Sequence, residues 1–263
     1  MSAFVINSYA LGGEDPDAAA YLNAVETADT QALEAAVRKA VDDFVKGLKA
    51  DGIWSAIKAS CILAGARTLA GALTPLVGSA PTNHGGNFVS GDYNRETGLL
   101  GNGTNKALQS NYAHNAAGQN NRSMAVYISQ VFGTGTMRFV DDGGGATAGG
   151  SHLRAVFNAI STRSASSSLS SASQVPFVGF FGASRSASNN YTRRANGTSA
   201  TITDASQTPP STNYTIFARG VSSAPNAEYV DGALSFYSLG EALDLVNLDT
   251  RVSTLMTDLD AAI

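Results

Sequence analysis

A chain of 263 residues and 27.0 kDa is long enough for one large β-sandwich with helical additions, or for two small domains. Hydrophobic residues make up 43%, enough for a core, whereas the charged fraction of 14% lies below the usual ~25%. Gly, Ser, Thr, Asn and Ala fill the gap, as suits an all-β protein with many turns. No apolar run reaches the ~18 residues of a bilayer span, and the first 17 residues lack the basic start and apolar stretch of a secretory signal. Cys61 stands alone, so no intramolecular disulfide forms, and synthesis in a cytoplasm without covalent staples is expected. The net charge is −4, but residues 101–234 hold nine Lys and Arg against five Asp and Glu, which leaves the two ends with −8. Such a division suits pairing with copies of the chain or with an acidic neighbour. Nucleic-acid binding is not expected, because no aromatic-basic platform accompanies the arginines; they are read as solvated surface.

The first 13 residues look extended and gather Phe4, Val5, Ile6, Tyr9 and Leu11, an apolar arm that needs something to lie against. Asp15-Pro16-Asp17 is a helix start, with Asp15 as N-cap and Pro16 at N1; that helix carries Leu22 and Val25. Asp29 or Thr30 is expected to cap a second helix whose Leu33, Val37, Val41, Phe44, Val45 and Leu48 make a single apolar stripe. The stripe packs on the chain's own sandwich or meets a partner protein, and Phe4, Ile6, Tyr9, Leu33, Val37, Val41 and Phe44 are the candidate partner contacts. Asp51-Gly52 stops the helix, and Ile53, Trp54 and Ile57 suggest one more short turn. From Cys61 to Leu76 the small apolar residues leave helix and strand hard to separate.

A turn-rich stretch follows, and then strand candidates at Met124–Gln130, Thr136–Val140, His152–Asn158, Val175–Phe181, Asn190–Arg194, Ser199–Thr203 and Asn213–Arg219. Their spacing predicts an antiparallel sandwich rather than βαβ units. Ser161–Ser173 is read as a mobile loop or an edge strand. Asp231-Gly232 supplies a turn into a half-buried strand over Val230–Leu239, after which Ser238 caps a helix opening at Glu241. Leu245, Leu248, Val252, Leu255, Met256 and Leu259 form a second amphipathic stripe, placed to dock on the sandwich or to join a small bundle. The chain divides into an attachment region over residues 1–75 and a sandwich with a closing helix over 76–263.

Residues suited to chemistry are sparse. No E-x-D-x-E pattern places two carboxylates on one strand for glycoside hydrolysis. His84, His114 and His152 have no metal-ligand spacing and are expected in loops or at the surface. Cys61, in an apolar run, reads as a buried inert thiol. Asp141-Asp142 before three glycines is a turn that could offer oxygens to calcium. No cofactor and no metal is expected.

The Asp-Gly turn, the alternating strand with its Phe-Tyr pair and the helix after it resemble the closing strand of concanavalin A-like jelly-roll domains. Gly98–Ser110 resembles the early strand pair of LamG-type modules, Met124–Gln130 their next central strand, and Tyr191–Thr203 with Asn196-Gly197 a Y-x-N-G hairpin. Together they span roughly residues 80–240. The helical region with Gly52–Lys58, "GIW-x-x-IK", ahead of such a sandwich is similar to tailed-bacteriophage virion structural proteins. The resemblance implies a mainly β fold, a concanavalin A-like antiparallel β-sandwich (jelly roll) with an N-terminal helical region and a C-terminal helix. It implies a non-enzymatic protein on the virion surface, a capsid decoration or head-fibre protein that self-associates as a homo-oligomer and binds other virion proteins of capsid or tail. The alternative is a tail-fibre or adhesin module that binds host surface polysaccharide, with Tyr112, Tyr191 or Tyr214 exposed in loops to stack on sugars. Neither reading involves a membrane or nucleic acid.

Overall fold

The computed structural model describes residues 13–130, 133, 135–142, 148–173, 177–222 and 224–263. In chain order the elements are α1 (Pro16–Asp29), α2 (Ala35–Ala50), β1 (Ile57–Ile62), a single turn α3 (Leu69–Ala72), β2 (Thr82–Asn83), β3 (Tyr93–Asn94), β4 (Gly98–Leu100), β5 (Leu108–Ala113), β6 (Arg122–Gln130) and β7 (Thr136–Asp141). There follow β8 (Gly150–Val156), β9 (Ala159–Ser166), β10 (Ser170–Ser173), β11 (Gly179–Arg185), β12 (Asn190–Ala195), β13 (Thr198–Thr203), β14 (Asn213–Ile216), β15 (Arg219–Val221), β16 (Ala224–Ala227), β17 (Ala233–Gly240) and α4 (Leu245–Ala262).

Among the described residues two antiparallel sheets face one another, as the concanavalin A-like resemblance predicts. Sheet A has eight strands in the order β13-β12-β11-β6-β17-β4-β3, with β1 also paired to β17; sheet B has seven in the order β10-β9-β8-β7-β14-β5-β2. Between them lies an apolar core in which Met124, Val126, Phe181 and Tyr237 of sheet A meet Phe139, Leu153, Ile160, Tyr214 and Ile216 of sheet B. A second core lies on the other side of sheet A, where Ala125, Phe180 and Phe236 pack against the stripes of α1, α2 and α4. Phe44 and Phe236 meet edge to face there, with centroids 5.9 Å apart. The molecule is therefore layered helices, sheet A, sheet B.

This layering accounts for several departures from expectation. β17 is buried along its whole length, not on one face only, because one core lies on each side of it. Ser238 is consequently a buried strand residue, and α4 opens later, at Leu245, where Asp244 caps it by accepting from the amides of Val246 and Asn247. α1 starts as expected at Asp15 and Pro16, but Thr30 closes it in a left-handed conformation (φ 54°) rather than capping the next helix. Asp29 instead turns inward and accepts from the Arg67 amide at 2.7 Å, the Thr68 amide at 2.9 Å and the Thr68 hydroxyl at 2.6 Å. β1 lies before the expected boundary at residue 75 and yet pairs with β17. Ser161–Ser173 contributes a β9–β10 hairpin in which only β10 is an edge, and the candidate at Asn213–Arg219 splits into β14 and β15 around Phe217 (φ 71°). The candidate at Val175–Phe181 starts in part outside the described residues; its strand is β11. Gly98–Ser110 forms no pair: β4 belongs to sheet A and β5 to sheet B. The β12–β13 hairpin does turn on Asn196 and Gly197, both with positive φ as a type I′ turn requires.

Candidate functional site

The arginines assigned to solvated surface are largely interior: Arg122, Arg138, Arg163 and Arg185 are all buried. Strand register explains the gathering of several of them. Alternation sends Met137 and Phe139, Leu153 and Ala155, and Ile160 into the inter-sheet core, so Arg138, His152, Arg154, Ser161 and Arg163 occupy the outer face of sheet B. Across β7, β8 and β9, Arg138 stands opposite Arg154 and Arg154 opposite Ser161; Asp141 stands opposite His152 and His152 opposite Arg163. Thr215 continues the second row next to Asp141, and Gln109 lies beyond it. The β15–β16 hairpin brings Arg219, its first residue, and Glu228, just after its last, to the same place, held by the Gly220 amide on Asp141 at 3.1 Å and the Arg138 amide on the Glu228 carbonyl at 2.8 Å.

Arg138 is the hub. It donates to Glu228 Oε2 at 2.7 Å, to Asp141, and to His152 Nδ1 at 3.2 Å. Arg219 approaches Glu228 at 3.6 Å, Arg154 Nε donates to Ser161 Oγ at 3.2 Å, and an Arg163 terminal nitrogen donates to the Ser167 carbonyl at 2.7 Å. Burial first, and then Arg138, Arg154, Arg163 and Arg219, hold His152 well below the ordinary histidine value, so its ring is neutral. An arginine only donates, so Nδ1 accepts and the ring proton sits on Nε2. Burial, followed by Arg138, likewise lowers Arg154.

Two other buried arginines serve the fold. Arg185 spends its guanidinium on the carbonyls of Ser164, Ala187, Asn190 and Asp204 and lies over the Tyr191 ring. Arg122 donates to the carbonyls of His114, Ala117 and Gly118 and to His114 Nε2. His114 and His152 are thus interior, not surface, residues, because each sits against a buried guanidinium; His84 is half-buried in a short turn.

The expected partner contacts divide in two. Phe4, Ile6 and Tyr9 lie outside the described residues. Leu33, Val37, Val41 and Phe44 are buried in the helical core, a correction to the partner reading: the outer face of sheet A needs an apolar cover and the stripe of α2 supplies it. Tyr191 and Tyr214 are core residues rather than loop platforms, and Tyr112 is half-buried, stacked parallel to Tyr214. Cys61 is buried beside the Tyr237 hydroxyl, and burial pushes its thiol up to about 12. Of the stretch considered for calcium, Gly143 to Gly145 lie outside the described residues; Asp141 faces Arg138, and Asp142 accepts from the Ser151 amide at 2.5 Å. Among the described residues no group of three or more His, Cys, Asp or Glu is placed to hold a metal ion.

No protein-family model and no curated protein matches this sequence. Among solved structures the chain is similar to the NanB sialidase from Streptococcus pneumoniae, at 12% identity and a TM-score of 0.42, over 57% of this chain and 27% of that one. It is similar to the CBM40 of Ruminococcus gnavus IT-sialidase bound to α2,3-sialyllactose, at 11% identity and a TM-score of 0.41, over 50% of this chain and 81% of that one. It is also similar to the leech intramolecular trans-sialidase, at 12% identity and a TM-score of 0.36, over 55% of this chain and 24% of that one. The overlap spans about a quarter of each of the two sialidase chains.

Proposed function

We propose that the chain is a non-enzymatic structural protein on the surface of a tailed-bacteriophage particle, and that it holds host-surface saccharide on the outer face of sheet B. The particle assignment rests on the sequence resemblance given above. The binding assignment rests on the chemical difference between the two sheets. The centre of sheet A, at β1, β6, β11 and β17, has an apolar core on each side and is covered by helices, whereas the outer side of sheet B carries guanidinium, imidazole and hydroxyl groups in register. Groups of this kind hydrogen-bond sugar hydroxyls and acids. The nearby acids already have structural tasks: Asp141 and Glu228 hold Arg138, and Asp142 holds the Ser151 amide. This supports binding over hydrolysis, which needs a carboxylate pair free to exchange protons. Attachment to other virion proteins, and self-association, fall to the apolar segment containing Phe4, Ile6 and Tyr9.

Capsid decoration or a head fibre is the second reading, favoured by the packing of α1, α2 and α4 together on sheet A, the side away from the polar face. Two measurements test these readings. Immunogold labelling with antibody to this chain is expected to mark the surface of purified particles, and unlabelled particles overturn the particle assignment. Retention of the purified chain on a host-surface polysaccharide column is expected for the binding reading; elution with an inert control protein returns the assignment to decoration.

A further inference from the structure

We propose that the outer face of sheet B contains an oxyanion site, built by Arg154, Arg163, Arg219 and His152, for the acidic group of a saccharide. The group is a carboxylate, or a sulfate or phosphate ester with the same chemistry. The inference rests on the saccharide-binding reading and specifies its ligand class.

The first observation is charge. Four guanidinium groups, those of Arg138, Arg154, Arg163 and Arg219, share this face with the carboxylates of Asp141 and Glu228, a local excess of +2 in a chain whose net charge is −4. Both carboxylates engage Arg138; Glu228 reaches Arg219 only at 3.6 Å. Concentrating like charges where water is partly excluded is unfavourable unless an opposite charge arrives.

The second observation is unused hydrogen-bonding capacity. Among the described residues, His152 Nε2, Arg163 Nε, Arg219 Nε and Thr215 Oγ1 are buried polar atoms with no hydrogen-bond partner. His152 is only 2% exposed and Arg163 8%. The tautomer derived above makes His152 Nε2 a donor, so three of the four atoms offer N–H groups, which suit an oxyanion and not a cation. The structural arginines supply the contrast. Arg122 and Arg185 each employ all three guanidinium nitrogens on carbonyl or ring acceptors. Among the described residues, by comparison, Arg154 donates through Nε to Ser161, and Arg163 through a single terminal nitrogen to Ser167. Arg122 and Arg185 thus close their own donors, whereas donors of His152, Arg163 and Arg219 stay open on one face for an incoming acceptor.

The surroundings narrow the ligand. Ser161 and Ser171 stand opposite one another at the end of one row, and Thr215 and Gln109 continue the other. The hydroxyls of Ser161, Ser171 and Thr215 are partners for sugar hydroxyls around the acid. No Phe, Tyr or Trp contributes to either row and the His152 ring is buried, so the face lacks the stacking platform of a single-stranded nucleic-acid site.

The experiment uses the full chain and the double variant Arg154→Gln/Arg219→Gln; both side chains are partly exposed, so the fold is expected to survive. Affinity is measured by calorimetry at physiological salt for polygalacturonate, dextran sulfate and neutral dextran. Thermal shift is measured in sodium sulfate and sodium phosphate against sodium chloride at equal ionic strength. The expected result is binding of at least one acidic polymer, none of dextran, and a loss of about 10-fold or more in the variant. The two acidic polymers separate carboxylate from sulfate ester, and the phosphate arm tests the third source. Equal binding of an acidic or a neutral polymer by both proteins overturns the oxyanion site and leaves the saccharide reading standing. A sulfate or phosphate shift that disappears in the variant, without binding of any polymer, supports the site and overturns the saccharide reading. No binding and no ion-specific shift overturns both. Should the double variant melt early, Arg154→Gln alone replaces it.

Discussion

Replacing Arg185 by methionine keeps an unbranched side chain of similar length but removes every hydrogen bond its guanidinium makes. Arg185 is fully buried, with donor distances of 2.6 Å to Ser164, 3.0 Å to Ala187, 3.1 Å to Asn190 and 3.0 Å to Asp204. These carbonyls belong to β9, to the β11–β12 connection, to the first residue of β12 and to the segment after β13, so one side chain ties together four pieces of backbone. Hydrogen bonds to a charged group contribute about 1.5–3 kcal/mol each, a gross ~6–12 kcal/mol for four. Against that stands the desolvation of the guanidinium, several kcal/mol, which also lowers its pKa here. The difference, with carbonyls left bare in the variant, is a net loss of about 3–5 kcal/mol. For a chain of this size that corresponds to a fall in Tm of roughly 10 °C. Urea unfolding followed by tryptophan fluorescence and far-UV circular dichroism is the assay, and the midpoint is expected to fall with unchanged slope. Arg185→Lys is expected between wild type and Arg185→Met, since an ammonium reaches fewer carbonyls than the planar fork. A loss below about 1 kcal/mol for Arg185→Met at unchanged slope refutes the reasoning, because it means the carbonyls are satisfied without the arginine.

Asp29→Ala strips the acceptor from two backbone amides and the Thr68 hydroxyl, and a loss of about 2–4 kcal/mol is expected in the same assay, with Asp29→Asn less damaging. Cys61 is expected to resist thiol reagents at pH 8 in the native protein, since burial pushes its thiol up to about 12, and to react at once in denaturant; rapid native labelling contradicts its burial. The paired Arg95 hydrogen bonds at 3.1 and 2.7 Å lower the Glu34 carboxyl from 4.5 to about 2. Because the folded value lies below the unfolded one, its contribution to stability is complete above about pH 4.5 and fades as pH falls towards 2. Glu34→Gln is expected to flatten the urea midpoint across that window relative to wild type, and an unchanged profile counts against the pairing.

Much of the architecture was legible in the residues themselves. Asp15-Pro16 starts α1, because a side-chain acceptor and a fixed φ are local requirements of a helix end. Asn196-Gly197 makes the β12–β13 turn, because the turn demands two positive φ angles. The stripes at Val37–Leu48 of α2 and Leu245–Leu259 of α4 carry helical periodicity and are buried as stripes, with Leu33 buried just ahead of α2. Periodicity names the face a helix buries but not the surface that covers it, so whether Val37 and Phe44 met a partner or their own sheet was open until Phe236 appeared opposite them.

The candidate site lay wholly on the tertiary side. His152 and Arg154, and Ser161 and Arg163, alternate along their strands, a pattern that puts each pair on one face but leaves that face unidentified. Arg138, His152, Arg163 and Arg219 are separated in the chain, and in the sequence the three arginines read as scattered solvent-facing charges and His152 as a loop or surface residue. Antiparallel register set the first three side by side, and the β15–β16 hairpin added the fourth. Local propensity and alternation act over a few residues and are written into the sequence; strand register and layer order depend on the whole core, and only they decide which charges become neighbours and which lose their water.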